Sequence, residues 1–312
     1  MNVDIKHIVC TADFSDYSEH AVSYGIELSK EFGAKLYFCY VIHIPNNAVY
    51  SIAVSDSLER RTQLTKQVHE HSERLIADQS VNYEAFFMIT NNVNDIVCMA
   101  AEKKADLVVS TTQPRLGLKR FLLDSIPDRL MQTLPFPLLS ICGPGRGNET
   151  SWKENIRFQR ILVGCDFSPD SILGLQYALS IAQRFHSEVH LAFVCKPSDC
   201  EDFIETKTEL KKELPQDFRN QISIKLTRLV PQETLKWCMI NPEVLVGRPG
   251  EELTKYATAN HVNLIALGTQ VQGFNAKPIE KSITHFVSQR STCPILSVRP
   301  KTQMQLHRTY MF

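Results

Sequence analysis

Two stretches of the chain, IVCTADFS at residues 8–15 and ILVGCDFS at residues 161–168, repeat one pattern. Each is a short apolar run that ends in Asp-Phe-Ser. The register continues beyond the motif, since Tyr24 of the first copy matches Tyr177 of the second. Asp and Ser are favoured at helix N-termini, so both stretches predict a buried strand that leads into a helix capped by the Asp or the Ser.

The far end of each half repeats as well. The matched segments are ADLVVSTTQ (105–113) with VNLIALGTQ (262–270), Ser125 with Ser282, and FPLLS (136–140) with CPILS (293–297). Self-similarity over this length indicates two homologous halves. We predict a first domain over 1–144, a glycine-rich linker over 145–155, a second domain over 156–300 and a C-terminal tail over 301–312.

Within each half, short apolar strands alternate with amphipathic helices. The predicted strands are Ile8–Thr11, Lys35–Ile42, 83–90, Leu107–Ser110, Pro137–Cys142, Ile161–Gly164, Glu188–Cys195, 242–246, Leu264–Leu267 and Pro294–Val298. The predicted helices, besides the one after each first strand, are 56–78, Asp95–Lys103, one near Ile126, Leu130 and Leu134, 204–228, Glu251–Asn260 and one near Ile283–Val287. This alternation predicts an α/β fold of two tandem doubly wound domains, each a mainly five-stranded parallel sheet with helices on both faces, Rossmann-like (HUP-type). Such folds bind ligands at the carboxyl ends of their strands.

Composition excludes several classes of function. The chain of 312 residues carries 34 Lys and Arg against 34 Asp and Glu, a balance that argues against nucleic-acid binding. No apolar run approaches the ~18 residues of a membrane-spanning helix, and the first ten residues do not resemble a signal peptide. The nine cysteines are scattered without a CxxC pair, which predicts reduced, mostly buried thiols in a cytoplasmic protein and no metal cluster.

Both halves resemble universal stress protein (UspA-type) domains, so nearly the whole chain is similar to a tandem universal stress protein. The residues that carry the resemblance are Asp13 and Asp166 after the opening strands, Ser125 and Ser282, and the closing FPLLSI and CPILSV strands. The resemblance implies a cytoplasmic stress-response or regulatory role. It also implies that the halves pair through their last strands as an intramolecular pseudo-dimer, with a homodimer and an unknown regulatory protein as further partners.

Members of this family that bind ATP carry Gly-x2-Gly-x9-Gly-Ser/Thr after the fourth strand, where backbone amides can approach phosphate oxygens. In the second half, Gly268 and Ser282 match the first and last positions of this motif, whereas Val271 and Lys281 replace the other two glycines. The Lys281 ammonium can still bind a phosphate as a point charge. The resemblance therefore implies a partly retained site for ATP or another adenine nucleotide, with magnesium only if ATP binds.

The resemblance places the other contacts residue by residue. Asp166 would meet the ribose or adenine, and the backbone of Val194 would meet the adenine edge. Arg248, in Gly247-Arg-Pro-Gly250 after the third strand, lies on the same sheet edge and could bind an anionic group. The candidate nucleotide-binding residues are Asp166, Val194, Arg248, Gly268, Thr269, Gln270, Lys281 and Ser282.

The first half departs further from the motif. Its four positions are Thr111, Pro114, Asp124 and Ser125, of which only the serine matches. Pro114 removes a donor amide, and Asp124 places a carboxylate where a phosphate would lie. We therefore predict no family-type ATP site in this half, which becomes a structural partner.

Plain structural roles remain open for several of these residues. Asp13, Asp166, Ser125 and Ser282 are all good helix caps, and Arg248 fits a solvated loop. Without paired catalytic carboxylates or an activated nucleophile, the sequence predicts a protein that is not an enzyme. The alternatives to nucleotide binding are an interaction scaffold that binds no nucleotide and, ranked last, a slow ATP hydrolase.

Overall fold

In a computed structural model of the chain, the described residues are 3–42, 58–77, 79–90, 92–112, 130, 134–142, 156–196, 214–269 and 282–299. The predicted linker over 145–155 and the tail over 301–312 lie outside these ranges, so both stay predictions.

The first half contains five strands and three helices within the described residues. In chain order they are β1 (His7–Ala12), α1 (Asp16–Phe32), β2 (Lys35–Ile42), α2 (Leu58–Ile76), β3 (Tyr83–Ile89), α3 (Val93–Glu102), β4 (Leu107–Thr112) and β5 (Leu138–Cys142).

The second half repeats this order. Its elements are β6 (Arg160–Gly164), α4 (Pro169–Phe185), β7 (Glu188–Cys195), α5 (Gln216–Arg228), a 3-10 turn (Thr234–Lys236), β8 (Ile240–Val246), α6 (Pro249–Ala259), β9 (Leu264–Gly268), α7 (Ile283–Arg290) and β10 (Ile295–Val298).

The predicted elements that fall within the described residues are confirmed, with small shifts at their ends. The strand expected at 242–246 begins at Ile240, because its parallel pairing with β7 continues back to Val189 in spite of Pro242. The helix expected at 204–228 is described from Gln216 onward. The helix expected near Ile126 falls mostly outside the described residues, although Leu130 and Leu134 are described and buried.

All ten strands join one sheet, in the order β3-β2-β1-β4-β5-β10-β9-β6-β7-β8. Neighbouring strands within each half are parallel. The contact between the halves is antiparallel, with Leu139 of β5 opposite Leu296 of β10. The predicted intramolecular pairing through the last strands is thus observed, and it covers two apolar edges that would otherwise be exposed.

The two halves also share a hydrophobic core on one face of the sheet. Buried residues of α1 and α4 belong to one continuous cluster, in which the Phe158 ring lies 5.8 Å from Tyr24 and 5.0 Å from Phe185. On the other face each half has its own smaller cluster. Since burial of apolar area is the main favourable term in folding, the shared face binds the halves into one unit.

The cysteines correct one prediction. Cys10, Cys39, Cys165 and Cys238 are free and buried, as expected, Cys98 is free and exposed, and Cys293 is buried. Cys195 is disulfide-bonded, so the set is not fully reduced. A disulfide depends on the approach of two Cα atoms in the fold, which the absence of a CxxC pair does not exclude.

No helix among the described residues is both long and apolar enough to cross a bilayer.

Candidate functional site

The chain reverses its direction of winding at the first strand of each half. In the second half, β7 and β8 lie on one side of β6, and β9 and β10 lie on the other. A crevice for ligands forms at such a reversal, beyond the carboxyl ends of the two central strands. Asp166 follows β6 and Gly268 ends β9, so both stand at this point.

The Asp-Phe-Ser turn after β6 is held by a compact hydrogen-bond network. The Ser168 backbone amide donates to Asp166 Oδ1 over 3.0 Å, and the Ser168 hydroxyl donates to the same oxygen. The Ser171 amide donates to Ser168 Oγ over 3.2 Å. Ser168 is therefore the cap of α4, and Asp166 orients the cap instead of serving as one. This resolves the choice between Asp and Ser that the sequence left open.

Phe167 adopts a left-handed backbone conformation, with φ of 64°. This region is unfavourable for a bulky residue, so the surrounding contacts must hold it in place. The Phe167 ring packs 5.4 Å from that of Phe193 on β7. The strained turn leaves the Asp166 side chain exposed at the edge of the sheet.

The environment of Asp166 favours its charged form. Burial raises the pKa of the carboxyl group, but hydrogen bonds from Ser168 and Ser171 outweigh it, and the net pKa is lowered. The side chain is thus an anion at neutral pH, suited to accept hydrogen bonds from hydroxyl groups.

Val194 lies where β7 extends past the end of β6. The last contact between these strands is the Cys165 amide donating to the Ala192 carbonyl, over 2.8 Å. Because alternate residues of a strand direct their backbone groups to the same side, Val194 directs its N–H and C=O past the end of β6. These groups lie at the same edge of the sheet as Asp166.

Gly268 has a packing role of its own. A Cβ atom at this position would overlap the backbone of Asp170 and Ser171 at the start of α4. A Cβ on Gly174 of the same helix would come within 3.1 Å of the Gly268 nitrogen. Close approach of helix and strand therefore requires glycine here, whether or not a phosphate binds.

Thr269 is buried and already engaged. Its hydroxyl donates to the Val298 carbonyl over 3.2 Å and accepts from Arg299 Nε over 3.0 Å. Arg299 Nη1 also donates to the carbonyl of Leu134 in the first half, over 3.4 Å. Burial lowers the pKa of the Arg299 guanidinium. Arg299 was missed at the sequence level, although an arginine directly after the last strand of this half was a usable signal.

Arg248 occupies the N-cap position of α6 and forms no side-chain cap. Its side chain is 84% exposed and lies 3.4 Å from Glu251 Oε1. The loop is anchored by the Gly247 amide, which donates to the Cys195 carbonyl over 3.0 Å. Arg248 is two strands away from Asp166, about 10 Å at the usual strand spacing. The observed contacts of Arg248 are therefore those of a solvated loop residue.

Ser282 occupies the N-cap position of α7, and its side chain makes no cap hydrogen bond. Gln270 and Lys281 lie outside the described residues, as do Pro114, Asp124 and Ser125 of the first half. Within the described residues the structure thus places Asp166, Val194 and Gly268 at the carboxyl ends of the neighbouring strands β6, β7 and β9.

The first half repeats the turn with different surroundings. Asp13 Oδ1 accepts from the Ser15 amide over 3.1 Å, and Ser15 caps α1. Beside this turn, the Thr11 hydroxyl lies 2.9 Å from that of Ser110, and both side chains are buried. Sequence reasoning also missed this hydroxyl pair.

No group of three or more His, Cys, Asp or Glu side chains in the described part of the chain is arranged to hold a metal ion.

Comparison with known proteins identifies the family of both halves. The family model described as "Universal stress protein family" matches residues 4–141 and again 157–299. A universal stress protein of Methanocaldococcus jannaschii is 29% identical over 143 residues, which span 45% of this chain and 83% of the relative. The universal stress protein YxiE of Bacillus subtilis is 28% identical over 155 residues, 46% of this chain and 99% of the relative.

A solved structure matches the whole arrangement. A universal stress protein from Archaeoglobus fulgidus superposes with a TM-score of 0.68 at 16% identity, covering 95% of this chain and 98% of its own. This likeness supports the fold of the paired halves.

Proposed function

Because the chain belongs to the universal stress protein family, matched twice along its length, we propose that it is a cytoplasmic stress-response protein that binds an adenine nucleotide in its second half. Asp166 would accept hydrogen bonds from the ribose or adenine, and the backbone of Val194 would pair with the adenine edge. The first half would act as its structural partner.

The proposal rests mainly on the geometry of the crevice. An ionised carboxylate, held by a strained turn, stands beside backbone groups that are directed past the end of β6. The ribose hydroxyl groups of a nucleoside can donate to this carboxylate, and the polar edge of its base can pair with these backbone groups. Ser282, whose hydroxyl is not used as a helix cap, is the described residue that can receive a phosphate. Bound ATP would supply phosphates that carry magnesium.

The two Asp-Phe-Ser turns provide a matched test. We expect Asp166→Ala to weaken ATP binding at least tenfold, about 1.4 kcal/mol, whereas Asp13→Ala leaves it unchanged. Calorimetry on the full chain measures both variants, and mass spectrometry of the freshly purified, denatured protein identifies any bound nucleotide. Equal losses for the two variants, or no binding by the native chain, would refute the proposal.

A second candidate function is an interaction scaffold that binds no nucleotide. It is favoured by the first half, where the buried Thr11–Ser110 hydroxyl pair fills the position beside the turn. In this case a regulatory protein, or a second copy of the chain, would be the ligand. Failure to detect nucleotide in the purified protein, together with no response to added ATP, would support this candidate.

A further inference from the structure

A groove lies at the opposite end of the second half's sheet from Asp166. It has a volume of about 560 Å³ and is lined by Gln183, Arg184, His186 and Trp237. His186 stands just before β7 and Trp237 just before β8, so the groove is at the amino edge of the strands. We propose that this groove binds a small aromatic carboxylic acid, a function separate from nucleotide binding.

The two walls of the groove are fixed to each other. The Cys238 thiol donates to the Ser187 carbonyl over 3.3 Å, and the Val189 amide donates to the Met239 carbonyl over 2.9 Å. These contacts join the residues next to His186 with the residues next to Trp237. The volume falls within the range of about 300–1,000 Å³ found for small-molecule sites.

Two basic side chains can receive the carboxylate. The Arg184 guanidinium lies 5.5 Å from the centre of the Phe32 ring, a contact that crosses to the first half. Neither Arg184 nor His186 forms an ion pair with any acidic side chain in the described parts of the chain. A guanidinium can bind a carboxylate through two parallel hydrogen bonds, which makes Arg184 the stronger of the two contacts.

Trp237 can receive the aromatic ring. The residue is 37% exposed, although tryptophan is usually more deeply buried. Leu235 and Met239, on either side of it in sequence, are also exposed. The indole offers a flat apolar face, and offset or edge-on packing with a second aromatic ring is favourable.

The backbone at His186 supports a role in binding. His186 ends α4 with φ of 54°, in the left-handed region, whereas Gly33 ends α1 at the matching position with φ of 65°. Glycine adopts this conformation without strain and histidine does not. Lys30 and Glu31 of the first half match Gln183 and Arg184, so this combination of side chains is specific to the second half.

Three probes separate the ring from the charge. We expect the full chain to bind 2-naphthoate at least about tenfold more tightly than neutral 2-naphthamide, and likewise more tightly than the non-aromatic anion cyclohexanecarboxylate. Ligand-observed NMR and calorimetry measure the affinities. Arg184→Met should weaken 2-naphthoate at least about fivefold with little effect on 2-naphthamide, and Trp237→Leu should weaken both aromatic probes.

His186→Gly separates binding from folding. It introduces the glycine that the first half has at the matching position, Gly33. We therefore expect an unchanged or higher Tm together with weaker 2-naphthoate binding. Arg290→Met is the control, because the Arg290 guanidinium packs on the Phe286 ring, 3.9 Å away, and does not line the groove. The proposal is overturned if 2-naphthoate does not bind at millimolar concentration, if Arg184→Met and Trp237→Leu leave its affinity unchanged, or if Arg290→Met weakens it equally.

Discussion

The two halves share the turn at the end of their first strand, but different side chains surround it. Phe14 and Phe167 have nearly the same φ, 62° and 64°, and each precedes a serine that caps the next helix. Beside the turn, the first half has a hydrogen-bonded pair of hydroxyl groups, Thr11 and Ser110. The matching residues of the second half are Gly164 and Leu267, which pair across β6 and β9 and carry no hydroxyl group. The repeat has kept a costly backbone conformation while the chemistry next to it has changed.

A second difference concerns how closely helix and strand approach. In the second half Gly174 and Gly268 face each other, so α4 packs backbone to backbone on the end of β9. The matched residues of the first half are Ala21 and Thr111, which both carry a Cβ atom. A retained glycine is therefore weak support for phosphate binding when packing already requires it.

The largest expected effect on stability comes from a variant that tests this difference in packing between the two halves. Gly268→Ala should lower the free energy of unfolding by about 3 kcal/mol, because its Cβ atom would overlap the backbone of Asp170. Thr111→Ala at the matched position removes only part of a side chain and should cost about 1 kcal/mol. Urea unfolding monitored by circular dichroism measures both. If the two losses are equal, the packing account of Gly268 is wrong.

Replacing Arg299 tests whether the contact between the halves depends on a half-buried charge. Arg299→Met removes the donors to Thr269 and to the Leu134 carbonyl, and hydrogen bonds from charged groups contribute about 1.5–3 kcal/mol. We expect a loss of about 2 kcal/mol in unfolding free energy. Arg290→Met, which removes an exposed guanidinium that packs on a ring, should cost less than about 1 kcal/mol. An equal cost for both variants would contradict the bridging role.

The sequence was sufficient to predict the ten strands and their parallel, doubly wound arrangement, and the family resemblance implied the pairing of the halves. The strands and their arrangement depend on apolar runs and on a repeat that can be read directly from the residues. The sequence did not reveal that Ser168 caps the helix, that Gly268 is required by packing, or that Cys195 is disulfide-bonded. Each of these depends on the distance between residues that are separated along the chain, and local pattern does not report such distances.

The smallest expected effect concerns the titration of Asp166. Its pKa is lowered in the folded chain by hydrogen bonds from Ser168 and Ser171, which outweigh burial. A carboxyl whose folded pKa lies below its unfolded value, about 3.9, stabilises the fold above that pH. This contribution is lost as the pH falls from about 4 through the folded pKa.

Two matched serine variants test this account of Asp166. Ser168→Ala removes a donor to the carboxylate, so the pKa of Asp166 should rise towards its ordinary value, and the loss of stability in acid should become shallower. Ser15→Ala makes the same change in the first half, where Ser15 donates to Asp13, and should leave the titration of Asp166 unchanged. Carbon-detected NMR of the side-chain carboxyl, followed from about pH 6 to pH 2, measures the pKa in each variant. A lower pKa of Asp166 in Ser168→Ala would show that the hydrogen bond from Ser168 is not what lowers this pKa. Asp166 is exposed, so the associated change in stability should stay below about 1 kcal/mol.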